Sequence, residues 1–131
     1  MEQQQSMNPN DLQSYIINIL HEIGVPANVK GYLYLQEALA IAVADSNAIY
    51  HMTSAIYAPV AERFGITASR VRMAIARAIE IAWDRGNLDT LNRYFGYTVS
   101  DVNGKPTNTE FIALIADKLQ LQTGLWRTLP L

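Results

Sequence analysis

Residues 54–72 read Ser54-Ala55-Ile56-Tyr57-Ala58-Pro59-Val60-Ala61-Glu62-Arg63-Phe64-Gly65-Ile66-Thr67-Ala68-Ser69-Arg70-Val71-Arg72, and this stretch decides the fold. From Thr53 the pattern predicts a helix that ends at Gly65, where a residue without Cβ takes the left-handed conformation at little cost. A tight turn follows. Thr67 or Ser69 then caps a second helix that continues to about Asp84 and stops before Gly86. Two helices joined through a short glycine turn match the helix-turn-helix pattern, here at about 53–85. Pro59 is tolerated if it marks the first turn of the first helix, because the N–H it lacks would have no intrahelical partner there.

Working outward, Leu12, Tyr15, Ile16, Ile19, Leu20 and Ile23 recur at helical spacing until Gly24. Val25-Pro26-Ala27-Asn28 reads as a connection, and a second helix runs from about Lys30 to Asp45, its alanines suited to close packing. Ser46 and Asn47 can cap a short third helix through Met52. On the other side, Asn87 to Tyr94 makes another short helix, and Gly96 to Lys105 is a loop or small β-ribbon turning at Asn103-Gly104. Thr107-Asn108-Thr109-Glu110 has capping-box spacing ahead of Phe111, Ile112, Leu114, Ile115 and Leu119. The expected organisation is a flexible leader at 1–10, a helical domain at 11–121 and an apolar tail at 122–131 that carries Leu125, Trp126, Leu129 and Leu131. The fold class is all-α.

Half of the 131 residues are apolar and 17% are charged, enough to bury the core of one globular domain. There is no cysteine, which removes disulfides and thiolate metal sites. The longest apolar run, Ala38 to Ala44, is too short to cross a membrane, and the polar start lacks the features of a signal peptide, so the expected location is the cytoplasm. His21 and Glu22 are neighbours on a helix and point about 100° apart, so they do not form an acid–base pair. His51 has no sequence partner at metal-ligand spacing, and no nucleotide-binding motif is present. The reading is therefore not an enzyme, with no cofactor and no metal. The aromatic set Tyr32, Tyr34, Tyr57, Trp83, Tyr94, Phe95 and Tyr97 is expected to fill helix junctions.

On a helical wheel of the second helix in the motif, Val71, Ala74, Ile75, Ala78, Ile81 and Ala82 fall on the core side. The opposite face centres on Ser69, Met73, Ala76 and Glu80, with Arg70 and Arg77 along one edge and Arg72 along the other. Net charge is −2, unusually acidic for a partner of DNA, yet residues 53–86 hold five arginines against Glu62, Glu80 and Asp84. That segment has a local net charge of +2 and leaves −4 on the remainder. DNA affinity is expected to be weak and steeply salt-dependent unless copies act in tandem.

The run His21-Glu22-Ile23-Gly24-Val25-Pro26-Ala27-Asn28-Val29-Lys30-Gly31-Tyr32-Leu33-Tyr34-Leu35 resembles the opening of the C-terminal effector domain of the master response regulator that starts sporulation in endospore-forming bacteria. The likeness resumes at Thr67–Val71, Ala78–Trp83, Arg85–Asn87, Phe95–Ser100 and Lys105–Leu119, and spans about residues 12–120. It implies a compact bundle of about six helices whose helix-turn-helix docks in the major groove of double-stranded DNA, often as tandem head-to-tail copies, with a homodimer on DNA as the other arrangement expected. It also implies a transcriptional role, with about Gly86 to Phe95 offered to the sigma subunit of RNA polymerase. The family has an N-terminal receiver domain; these 131 residues hold none, and the sequence leaves open a fragment or a stand-alone relative.

Over the recognition helix the family pattern is Ser-Arg-Val-Glu-Arg-Ala-Ile-Arg-His-Ala-Ile-Glu, whereas this chain reads Ser69-Arg70-Val71-Arg72-Met73-Ala74-Ile75-Ala76-Arg77-Ala78-Ile79-Glu80. Two central arginines have become Met73 and Ala76, while Arg72 replaces an acidic residue and Arg77 a histidine, so any box bound should differ from the family's. The expected DNA-facing set is Thr67, Ser69, Arg70, Arg72, Met73, Ala76 and Arg77, with Lys30 and Lys105 as outlying phosphate contacts. The rival reading is a protein-interaction module that kept the fold and lost specific DNA binding. It is motivated by the acidic balance, the neutral centre of the recognition face and the apolar tail.

Overall fold

The structure, a computed structural model, describes residues 9–96 and 104–124. Helix α1 spans Pro9–Ile23, α2 Lys30–Ala44, α3 Ala58–Phe64, α4 Ala68–Arg85, α5 Leu88–Phe95 and α6 Asn108–Thr123. No strand occurs among the described residues, so the all-α expectation is met. The leader up to residue 8, the expected ribbon over 97–103 and the tail from residue 125 lie outside the described residues, while Pro9 and Asn10 already belong to α1. Among the described residues no helix is long and apolar enough to cross a membrane.

The helix ends follow the local chemistry of the chain. Gly65 has φ +68° and closes α3, its amide reaching back to the Ala61 and Glu62 carbonyls. The Thr67 hydroxyl accepts the Arg70 amide at 3.2 Å and opens α4. At α6 the capping box is complete: the Thr107 hydroxyl accepts the Glu110 amide at 3.1 Å, and the Glu110 carboxylate accepts the Thr107 amide at 2.9 Å.

Between α2 and α3 the chain departs from expectation. Residues Ser46–His51 form a 3₁₀ helix capped by Asp45, whose carboxylate accepts the Asn47 amide at 3.0 Å, rather than by Ser46 or Asn47. Residues Met52–Tyr57 then form a π-helical turn, and α3 begins only at Ala58. Pro59 accounts for the widening. It has no N–H to donate and its ring crowds the carbonyl four residues back, so the chain loosens ahead of it, the Ala58 amide bonding to the Thr53 carbonyl five residues away.

Helix α2 is the centre of the bundle, packed against α1, α4 and α6. Tyr32, Tyr34, Leu35, Ala38, Leu39, Ala42 and Val43 are all buried, so it is apolar on more than one face, as a central helix must be. Its start crosses α4 at backbone contact: a Cβ on Gly31 would overlap the Ala74 carbonyl and lie 2.8 Å from the Ala78 methyl. At its other end the buried Gln120 amide donates to the Val43 carbonyl at 3.1 Å and the Ser46 hydroxyl at 2.8 Å, satisfying a helix-terminal acceptor away from water. Trp83 of α4 meets Phe95 and Phe111 edge-on at 4.8 and 6.3 Å, joining α4, α5 and α6, and its indole N–H donates to the Gly104 carbonyl at 2.8 Å.

Candidate nucleic-acid interface

Helix α4 presents one flank to the core and one to solvent. Val71, Ile75, Ala78, Ile79 and Ala82 are buried, while Ser69, Arg70, Arg72, Met73, Ala76 and Arg77 are exposed. The wheel is corrected at three positions: Ile79 is 2% exposed and belongs to the core, whereas Ala74 and Ile81 are only half-buried. Ile79 lies on the flank of α4 that shares a groove with Pro106 and the start of α6, a neighbourhood that a wheel drawn for one helix cannot anticipate.

The exposed flank continues into an open groove of about 580 Å³ walled by Arg72, Met73, Ala76, Arg77, Ile79 and Glu80 on α4 and by Lys105, Pro106, Thr107 and Asn108 beyond it. Met73, one of its lining residues, is 59% exposed. Lys105, expected only as an outlier, is thereby brought beside Arg77. Lys30 is exposed at the first position of α2, next to the Gly31 contact with Ala74. Thr67 is spent on capping, which leaves the first turn of α4, including Ser69 and exposed Arg70, facing solvent.

The charges are not equivalent. Glu80 accepts a hydrogen bond from Arg77 at 3.0 Å and lies 3.9 Å from the Lys105 ammonium, so one carboxylate engages two of the cations. Among the described residues Arg70, Arg72 and Lys30 have no carboxylate within ion-pair distance. The available positive charge therefore gathers at the N-terminal half of the face, where the helix macrodipole has the same sign.

Two sets of contacts at the site carried no warning in the sequence. Asn108 donates to the Arg72 carbonyl and to the Tyr57 hydroxyl, both at 3.0 Å, tying the start of α6 to the flank of α4 and to the π turn. Glu80 was expected on the exposed face, but its hold on Lys105 needs a contact distant in sequence. His21 does have a structural role: its ring stacks on Tyr32 at 5.8 Å and its Nε2 lies 3.1 Å from the Tyr32 hydroxyl. Glu22 turns instead to Tyr94 and Arg93. Among the described residues no three His, Cys, Asp or Glu side chains gather to hold a metal ion.

A left-handed glycine turn, a capped helix exposed along one flank and free guanidinium groups near its start define a helix-turn-helix domain of the DNA-binding class. Residues 16–119 match the family described as "Sporulation initiation factor Spo0A C terminal", and the chain belongs to that family. The family is one of DNA-binding domains in transcription regulation and sporulation, not of enzymes.

Proposed function

We propose that this chain is the sequence-specific DNA-binding domain of a transcription regulator and that it reads a box different from its family's. The observation that carries the reading is the composition of the α4 face: free Arg70 and Arg72 near the helix start, and Met73 and Ala76 where the family pattern has arginines. Arg70, Arg72 and Arg77 meet bases or phosphates, with a bidentate arginine on guanine contributing about 1–3 kcal/mol of discrimination. Ser69, the free amides at the start of α4 and the Thr67 hydroxyl, which accepts the Arg70 amide and still has its proton to donate, hold the backbone, and Lys30 and Lys105 reach outlying phosphates. The domain acts in the cytoplasm, as tandem copies on DNA, and offers 86–95, with exposed Asp89, Asn92 and Arg93, to the sigma subunit of RNA polymerase.

Selection from a randomised duplex library at two salt concentrations tests this. With the free Arg70, Arg72 and Lys30 as contacts, affinity should fall roughly 40-fold between about 50 and 200 mM salt, and roughly 500-fold once Arg77 and Lys105 also leave Glu80 for DNA. An enriched motif unlike the family's box supports the reading; enrichment of the family's own box removes the altered specificity. A second reading, a protein-interaction module, is favoured by Glu80, which withdraws Arg77 and Lys105 from any phosphate. It predicts no DNA binding even at low salt, together with a stable protein complex formed without DNA.

A further inference from the structure

We infer that the centre of α4 reads the C5-methyl groups of thymine, an inference that rests on the DNA-binding reading above. The major-groove edges of the base pairs offer hydrogen-bond donors and acceptors and a single apolar group, the thymine methyl. Met73, 59% exposed, and the exposed Ala76 form the middle of the face, and neither side chain can donate a hydrogen bond. Behind them the groove is floored by the buried Ile79 and Pro106, which offer no hydrogen-bonding side chain. Side-chain donors flank this centre: Ser69 one turn before Met73, Arg72 along one edge, and Arg70 and Arg77 along the other, Arg77 held by Glu80 at 3.0 Å.

A base edge pressed against Met73 and Ala76 would lose water from its polar atoms and gain no partner, which opposes a purely polar edge at that step. A methyl projecting into the groove gains by the same burial. The unbranched thioether of Met73 can follow a methyl whose position varies between steps. Charge complementarity sets the register: free Arg70 and Arg72 draw phosphate or guanine to the N-terminal half, placing thymine next to them at the centre of the recognised segment.

The duplex enriched from the random library is synthesised with each thymine replaced in turn by uracil, which removes only the methyl. Dissociation constants are then measured by fluorescence anisotropy for the native chain and for Met73→Ala. One or two thymines should emerge whose replacement weakens binding about three- to fivefold per methyl. Met73→Ala should weaken binding to the thymine duplex more than to its uracil counterpart. If a motif is enriched but every uracil duplex binds within twofold of the parent, or if Met73→Ala costs the same on both, the inference is wrong and DNA binding stands. If no motif is enriched, the sequence-specific DNA-binding reading falls and takes the inference with it.

Discussion

On α4 the Glu80 carboxylate faces Arg77 and Lys105 from a half-exposed position, and the side chains of its partners are 68% and 33% accessible. Pairs this open to water add little to stability, so their consequence lies in how much positive charge reaches a phosphate. Glu80→Gln should leave thermal stability nearly unchanged, strengthen DNA binding and steepen the logarithmic salt slope by up to about two, one for each cation released. Titrating affinity against salt for both chains checks this, and an unchanged slope would show that Glu80 does not decide whether these cations reach DNA. Tyr94 differs because its environment changes its chemistry. Burial first, then the hydrogen bond from its hydroxyl to Glu22 at 2.7 Å and that carboxylate's charge, push its pKa up to about 12, against a smaller opposing effect of Arg93. In the unfolded chain the phenol titrates near 10, so the folded state holds its proton more tightly. The resulting stability is present below about pH 10 and is lost as pH rises toward 12. Tyrosinate absorbance compared with that of a Tyr94→Phe chain should show the Tyr94 phenol titrating late. Glu22→Gln should lower that midpoint only part of the way, because burial remains.

Between elements, the crossing of α2 on α4 sets where the recognition helix sits. Gly31→Ala would raise local helix propensity by about 1 kcal/mol, yet the new methyl must enter the Ala74 carbonyl and the Ala78 side chain, rigid parts of the neighbouring helix. The overlap should win, destabilising the domain by about 1–3 kcal/mol in urea unfolding. A variant as stable as the parent would mean that the two helices can slide apart. Signals confined to a few residues were legible in advance at this scale: Gly65 closing α3, Thr67 opening α4 and the Thr107–Glu110 capping box each join groups within about one helical turn. The π turn at Met52–Tyr57 was not legible, because Pro59 could be read as a first-turn residue without revealing how the preceding chain would relax.

Across the whole molecule, α2 at the centre and the Trp83–Phe95–Phe111 cluster join the helices into one core, so recognition and stability are linked. A selected duplex present at 100 times its Kd should stabilise the fold by about 2.7 kcal/mol, near 10 °C in Tm for a domain of this size. Melting with the selected and scrambled duplexes at moderate salt checks this, and equal shifts would indicate attraction to the backbone alone. The sequence by itself determined the helical class, the helix-turn-helix and its turn chemistry, and the residues exposed on the recognition helix, because these depend on periodicity and on hydrogen bonds between near neighbours. Tertiary structure alone decided that Ile79 rather than Ile81 is fully buried, that Glu80 engages Lys105 as well as Arg77, and that Asn108 ties α6 to the Arg72 carbonyl and Tyr57. Each of these depends on how closely separate helices approach and at what rotation, and that is set by the packing of the whole core rather than by any one helix.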